Sequence, residues 1–345
     1  MTNESIRWSA ERRRTAGGRE PPFLLKPAVK NYLWGGRRLR DEYSKESVLS
    51  PLAETWECST HPNGSSIAAS GRFSGTTLAE IIREHPEFLG EHPESGGELP
   101  VLVKLIDAKR ELSIQVHPDD AYAAAHENGQ RGKSEMWYVL DAEPGAELVY
   151  GLKHDMTREA LCRSIQEGTI ERHVQKVPVR KDDVFYVEAG TIHAIGAGVL
   201  IAEIQENSDL TYRLYDYRRI DKDGKLRELH VGKALEAANL RGERSPCQVP
   251  RVLRYRRGYA SELLCRCQYF EVHRILINTE RCLNLVRYRA DSLSFRALLC
   301  LQGCGVLLIE NGSSLLFFKG DCIFFPADSA EVRLHGRAQF LDVRG

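Results

Sequence analysis

From Pro21 onward, short apolar runs alternate with Gly and Pro punctuation, a pattern that predicts short strands joined by turns. Three stretches break that rhythm with helical spacing. Thr77 with Glu80 three residues later has the spacing of a capping box ahead of Ile81 and Ile82, and His85-Pro86 ends the helix it begins. Residues 157–167 (TREALCRSIQE) and 228–240 (ELHVGKALEAANL) predict the other two helices. Beyond residue 258, the runs YFEVHRILI, LSFRALLCLQG, GVLLIENG, SLLFFKG, CIFFPA and AEVRLHG are of strand length and separated by turn residues, as in a small all-β sandwich or barrel. The stretch 241–258 (RGERSPCQVPRVLRYRRG) carries little apolar periodicity and reads as a linker. Residues 1–20 are polar, with Arg12, Arg13 and Arg14 in succession, and read as a disordered tail. The expected division is a tail over 1–20, a β-rich domain with helical insertions over 21–240, a linker over 241–258 and a second β domain over 259–345.

Composition narrows the partners. With 345 residues, 42% of them hydrophobic, the chain can bury a large core and divides into about two domains. Lys and Arg together number 48, and so do Asp and Glu. This balance removes the electrostatic case for a nucleic-acid or anionic-membrane partner, and an anionic ligand must be held by a local cluster instead. No apolar stretch approaches the length of a membrane span, and the N-terminus lacks the apolar region of a secretory signal, so a cytoplasmic protein is expected. The nine cysteines form neither a disulfide ladder nor a CxxC pair and read as reduced, mostly buried small hydrophobes.

Candidate chemistry begins in VLVKLIDAKRELSIQVHPDD (101–120). On a strand, Gln115 and His117 share a face, so two neutral ligands can meet one ion. Glu135 in KSEMWYVL adds a carboxylate, and His193 follows a strand-like run and an Ala-Gly in VFYVEAGTIHAIGAG. Two imidazoles, a carboxylate and an amide suit Zn²⁺, Fe²⁺, Mn²⁺ or a similar ion.

Together these residues resemble the cupin arrangement. Asp182, Glu188, Gly190 and His193 are similar to the second cupin motif, with Glu188 where that motif usually has Pro and Ala197 where it often has Asn. ETWECSTHPNGSS (54–66), VLVKLIDAKRELSIQVHPDD, GKSEMWYVL (132–140), VFYVEAGTIHAIGAG (184–198) and EIQENSDLTYRLYDYRR (203–219) resemble, in order and spacing, the shorter bacterial form of the type I mannose-6-phosphate isomerases. The resemblance is strong over about 21–240 and weak beyond. It implies a mainly β fold of tandem cupin-like β-barrel (jelly-roll) domains with a few short helices. It also implies one Zn²⁺ on Gln115, His117, Glu135 and His193, Arg213 as catalytic, a small sugar phosphate as substrate, and a monomer.

Moving a proton between C1 and C2 of a sugar through a cis-enediol develops negative charge on its oxygens. A divalent ion can polarise those oxygens, and Arg213 can hold the charge with two parallel hydrogen bonds. Its bland alternative is a surface salt bridge among Asp209, Asp216, Arg218 and Arg219. Lys133, two residues before Glu135, is one candidate base, beside metal-bound hydroxide and His61. His61-Pro62-Asn63-Gly64 otherwise reads as an ordinary turn. Lys104 interrupts an apolar run and either contacts substrate or snorkels from a sheet edge. In the C-terminal domain Gly320 and Pro326 fit the second cupin motif, but Asp328 and Glu331 replace its Gly and His, so a degenerate cupin without metal is expected. Two other readings use the same residues: a non-catalytic sugar-phosphate-binding cupin and a metal-dependent cupin oxygenase.

Overall fold

A computed structural model describes residues 19–91, 98–220, 224–242, 246, 248, 250–282 and 284–345. Its elements stack in layers. The central layer is a six-stranded antiparallel sheet in the order Val184–Val187, Glu135–Ala142, Val199–Glu206, Val101–Ala108, Glu54–Cys58 and Ala28–Lys30. The strands VLVKLIDA and VLIAEIQE at its middle are buried at every position, because both faces of the sheet are covered. On one face Ile106, Trp137, Val139, Phe185 and Ile201 meet Leu148, Val177 and Ile195 of a second sheet. On the other face Val103, Leu105, Met136, Ala202 and Ile204 meet Phe270, Val272, Phe324 and Leu341 of a third. Apolar runs with little alternation are what such a two-sided layer demands, and its buried charges are the exceptions that mark the site.

The second sheet has five strands, in the order Tyr212–Tyr215, Ile114–Val116, His193–Ile195, Glu147–Leu152 and Val174–Pro178. Its outer face is closed by the helices Arg158–Glu167 and Val231–Ala237, which set Leu161, Ile165 and Ala234 against Ile114, Val149 and Leu214. The third sheet has ten strands, mostly from 254–344, and also takes in Phe23–Lys26 and Ile67–Ala68. Phe23 pairs with Phe324 and Leu25 with Cys322, so the first described strand is hydrogen-bonded into the sheet that holds the last.

The mainly β, antiparallel fold with short helices agrees with expectation, although among the described residues the sheets stay open and face each other in layers rather than closing into barrels. The three helices lie at Leu78–Glu84, Arg158–Glu167 and Val231–Ala237. Thr77 and Glu80 form the reciprocal capping box read from their spacing, a motif whose loss costs about 1 kcal/mol.

Several expectations need correction. The stretch read as a linker ends in a strand, Arg254–Arg256, paired with Tyr259–Arg266. LSFRALLCLQG and GVLLIENG are not two strands but one, Arg296–Ile309, which passes a bulge between Cys300 and Gln302 and a left-handed Gly303. A Cβ at Gly303 would stand 1.9 Å from the Arg337 carbonyl oxygen, so glycine there permits close strand approach rather than a turn. The cysteines are not mostly buried: Cys58, Cys300 and Cys322 are, whereas Cys162, Cys265, Cys267 and Cys282 are half-exposed and Cys304 is exposed. Cys247 and nearly all of the expected tail lie outside the described residues.

Candidate metal centre

Strand register assembles the site. In the five-stranded sheet, His193 pairs with Gln115, and Gln115 pairs with Arg213, so three polar side chains stand in one cross-strand row. Across the gap between the sheets, Glu135 opens the strand Glu135–Ala142, and His117 follows the end of Ile114–Val116. The ligand atoms of His117, Glu135 and His193 all lie within 4.8 Å of one another, and all three residues are buried.

The chemistry of this donor set fits a cation. His117 Nδ1 donates to the Leu210 carbonyl at 2.7 Å and His193 Nδ1 to the Thr191 carbonyl at 2.9 Å. Those bonds fix the tautomers and turn both Nε2 lone pairs inward. Each Nε2 lies 3.4 Å from a Glu135 oxygen, and neither oxygen has a well-directed hydrogen bond. Four inward-facing acceptors with no proton among them are an unfavourable grouping unless positive charge sits with them. Lys133 supplies some, its Nζ 3.0 Å from Glu135 Oε2 and 3.1 Å from His117 Nε2. Burial, reinforced by Lys133, presses His117 down to about 3, and burial likewise lowers His193, so both rings are neutral and could hold a metal ion. Burial alone would raise Glu135, but Lys133 and His117 outweigh it and hold the carboxyl well below its usual range. Gln115 completes the set, with Nε2 3.3 Å from His193 Nε2; an amide flip in the same volume turns its oxygen inward.

A cleft of about 540 Å³ opens beside this group, and Gln115 and Lys133 belong to both. Its floor is the central sheet. Trp56, Lys104, Glu203 and Trp137 pair across four neighbouring strands in one row. Lys104 Nζ meets Glu203 Oε1 at 3.1 Å, and Trp137 Nε1 donates to Glu203 Oε2 at 3.0 Å. Lys104 is therefore a buried residue at the middle of the sheet, not a lysine snorkelling from an edge. Burial opposes its charge, but Glu203 and Glu54 outweigh that cost and raise its pKa. The indole of Trp56 lies between Lys30 Nζ at 4.2 Å and Lys104 Nζ at 5.2 Å, and its Nε1 donates to Glu54.

Arg213, Arg227 and His230 also line the cleft. The salt-bridge alternative for Arg213 does not hold among the described residues: Asp216 is taken by Arg219 and Arg227, and Arg213 has no carboxylate within ion-pair distance. Its Nε is buried without a hydrogen-bond partner, and burial together with Arg227 presses its pKa down. His61 is not part of the cleft lining. It sits edge-on to Trp56, 5.5 Å between ring centroids, its Nδ1 accepts the Asn63 N–H at 3.1 Å, and its Nε2 lies 3.4 Å from Asp209. These are the contacts of a turn residue that braces the back of the indole.

Glu203, Trp56, Asp209, Arg227 and His230 were given no role from sequence. Only Glu203 carried a usable signal, as a charge interrupting the apolar run VLIAEIQE just as Lys104 interrupts VLVKLIDA. Two such interruptions in all-buried strands call for each other.

The family model for the phosphomannose isomerase type I catalytic domain matches residues 23–162. The mannose-6-phosphate isomerase ManA of Bacillus subtilis is 36% identical over 320 residues, covering 92% of this chain and 97% of its own length. The mannose-6-phosphate isomerase of Streptococcus mutans is 41% identical over 220 residues, 64% of this chain and 68% of that protein. Among solved structures, a mannose 6-phosphate isomerase from Bacillus subtilis superposes with a TM-score of 0.85 at 34% identity, over 94% of this chain and 99% of its own. A phosphomannose isomerase from Salmonella typhimurium shares the fold, with a TM-score of 0.73 at 17% identity. Identity sustained across nearly the whole of both chains, on a fold that brings the motif residues into one buried cluster, shows that this chain belongs to the type I mannose-6-phosphate isomerase family.

Proposed function

We propose that the protein interconverts D-mannose 6-phosphate and D-fructose 6-phosphate through a cis-enediol, with Zn²⁺ held by Gln115, His117, Glu135 and His193. The observation that carries this reading is the row Arg213–Gln115–His193, in which a guanidinium with no ion-pair partner among the described residues shares a cross-strand row with two of the proposed ligands and lines a cleft of about 540 Å³. Two neutral imidazoles, one carboxylate and an amide suit zinc better than the all-oxygen sets preferred by Mg²⁺ or Ca²⁺. When bound, the ion supplies Lewis-acid polarisation of a sugar oxygen and acidifies any water on it.

The remaining work falls to side chains. Arg213 holds the oxygen that gains charge as the enediol forms, with a planar pair of donors no lysine reproduces. Lys133, which reaches both the cleft and Glu135, is the proton-transfer group: as the free amine it would take the proton from C2 and, as the ammonium so formed, return it to C1. Lys104 binds substrate hydroxyls from the floor and is kept protonated for that by Glu203. Trp56 offers its face to the sugar, with His61 behind it. Arg227 and Lys30 are the local cations that a chain of zero net charge needs for a phosphate. On this reading 21–240 is the catalytic unit, 259–345 a degenerate second cupin that packs against it, and the protein a cytoplasmic monomer. Among the described residues no helix is long and apolar enough to cross a membrane.

The test is conversion of mannose 6-phosphate by zinc-loaded protein in deuterated water, followed by a coupled assay and by NMR of the C2 hydrogen. Conversion accompanied by C2 exchange supports the reading. Binding of the sugar with neither conversion nor exchange overturns it in favour of a non-catalytic binder.

A further inference from the structure

Glu206 lies outside the cleft lining and does nothing in the chemistry above, yet it is buried. Its Oε1 accepts the Ser134 N–H at 2.7 Å, and its own N–H donates to the Ser134 carbonyl at 3.1 Å. One residue thus engages both backbone hydrogen-bonding groups of Ser134. Ser134 stands between Lys133 and Glu135, and the last paired residues of the two strands are Gln205 and Glu135. Beyond that pair one backbone bond, from the Glu206 N–H, continues the ladder, and the Glu206 side chain supplies the acceptor for the Ser134 N–H in place of a second.

The same short segment is pinned from its other side. The Lys133 N–H donates to the Pro118 carbonyl at 3.0 Å, and the Gly132 N–H to Asp120 Oδ1 at 2.8 Å. Gly132 packs so closely on that turn that a Cβ would stand 2.5 Å from the main chain of both Asp119 and Asp120. Residues 132–134 are therefore wedged between the turn that follows His117 and the end of the strand that carries Glu206.

We propose that Glu206 is a positioning residue: by holding the Ser134 peptide it sets the Lys133 ammonium and the Glu135 carboxylate against His117. The proposal rests on the roles given above to Lys133 and Glu135. A buried N–H deprived of its acceptor is costly, which drives the segment toward water and carries both side chains with it. What the grip needs from Glu206 is a carbonyl-type acceptor of the right length. Burial and the neighbouring Asp120 favour the neutral acid, whose shape and acceptor glutamine reproduces.

Three measurements on Glu206→Met and Glu206→Gln test this. They are zinc retention against a chromogenic chelator, kcat and KM with mannose 6-phosphate, and hydrogen exchange of the peptide spanning 131–136. Met, which fills the space without an acceptor, should weaken zinc retention and lower kcat about 10- to 100-fold with KM little changed, and speed exchange at Ser134. Gln should restore all three. Met with unaltered zinc retention and kcat overturns the proposal, and so does Gln as defective as Met. If Met does not fold, exchange in the unmodified protein still decides, because an unprotected Ser134 amide overturns the grip. Should the unmodified protein retain zinc but leave the sugar unchanged, the proposed function fails while the zinc and exchange measurements still judge Glu206.

Discussion

Lys104 Nζ and Glu203 Oε1 stand 3.1 Å apart, directly opposite each other on the two middle strands of the central sheet, with both side chains about 5% exposed. Removing one partner leaves the other charge nearly buried and without its counter-ion. Lys104→Met should cost about 3–5 kcal/mol, read from urea denaturation, and abolish most turnover. Lys104→Met combined with Glu203→Gln should recover much of the stability and none of the activity, which separates the pair's structural part from its contact with substrate.

Arg213→Ala should lower kcat/KM about 10²- to 10³-fold, the scale on which losing a preorganised donor to a charged oxygen is felt. Zinc content and melting temperature should stay unchanged, because no carboxylate among the described residues relies on Arg213. Arg213→Lys should recover little of the loss, since an ammonium cannot present two parallel donors. Steady-state kinetics with metal analysis on the same samples checks all three statements.

Chelation should silence the protein and also soften it. His117, Glu135 and His193 hold inward-facing acceptors that a bound cation satisfies. Free zinc at about 100 times its dissociation constant should add about 2.7 kcal/mol to stability. Thermal unfolding across a zinc titration checks this, and Glu135→Gln should flatten the response.

The pH response of stability has a definite sign at Glu206. Burial, then Asp120, pushes its carboxyl up to about 8, well above the ordinary carboxylate range. The folded state therefore binds this proton more tightly than the unfolded chain does. The stabilisation is complete below the unfolded pKa and is lost as pH rises through about 8. Urea midpoints measured at about pH 5 and about pH 9 should fall by more in the unmodified protein than in Glu206→Gln, which carries no such proton. An equal fall in both would refute the assignment.

How far these features could be read in advance depended on the kind of signal. The helix at Leu78–Glu84 was legible because Thr77 and Glu80 encode a local bond that needs no tertiary partner. The clustering of His117, Glu135 and His193 was legible through the motif strings, and strand register set Gln115, His193 and Arg213 in one row. The long strand Arg296–Ile309 was illegible because Gly303 looks the same in a turn as in a tight strand crossing, and only the Arg337 carbonyl opposite distinguishes the two. Arg227 carried no periodic or motif signal, and His230, read as part of a helix over 228–240, stands just before its first turn, so both reach the cleft from irregular backbone. The exposed cysteines were misread because composition reports no sidedness: Cys304 lies on the uncovered face of a strand whose neighbour Cys300 is buried.

The pairing of Phe23–Lys26 with Cys322–Phe325 bears on how this protein is made. A ribosome releases the first of these strands long before its partner. Until then an apolar edge holding Phe23 and Leu25 waits unzipped, open to chaperones and to neighbouring nascent chains. Deleting Cys322–Phe325 should therefore harm solubility out of proportion to the residues removed.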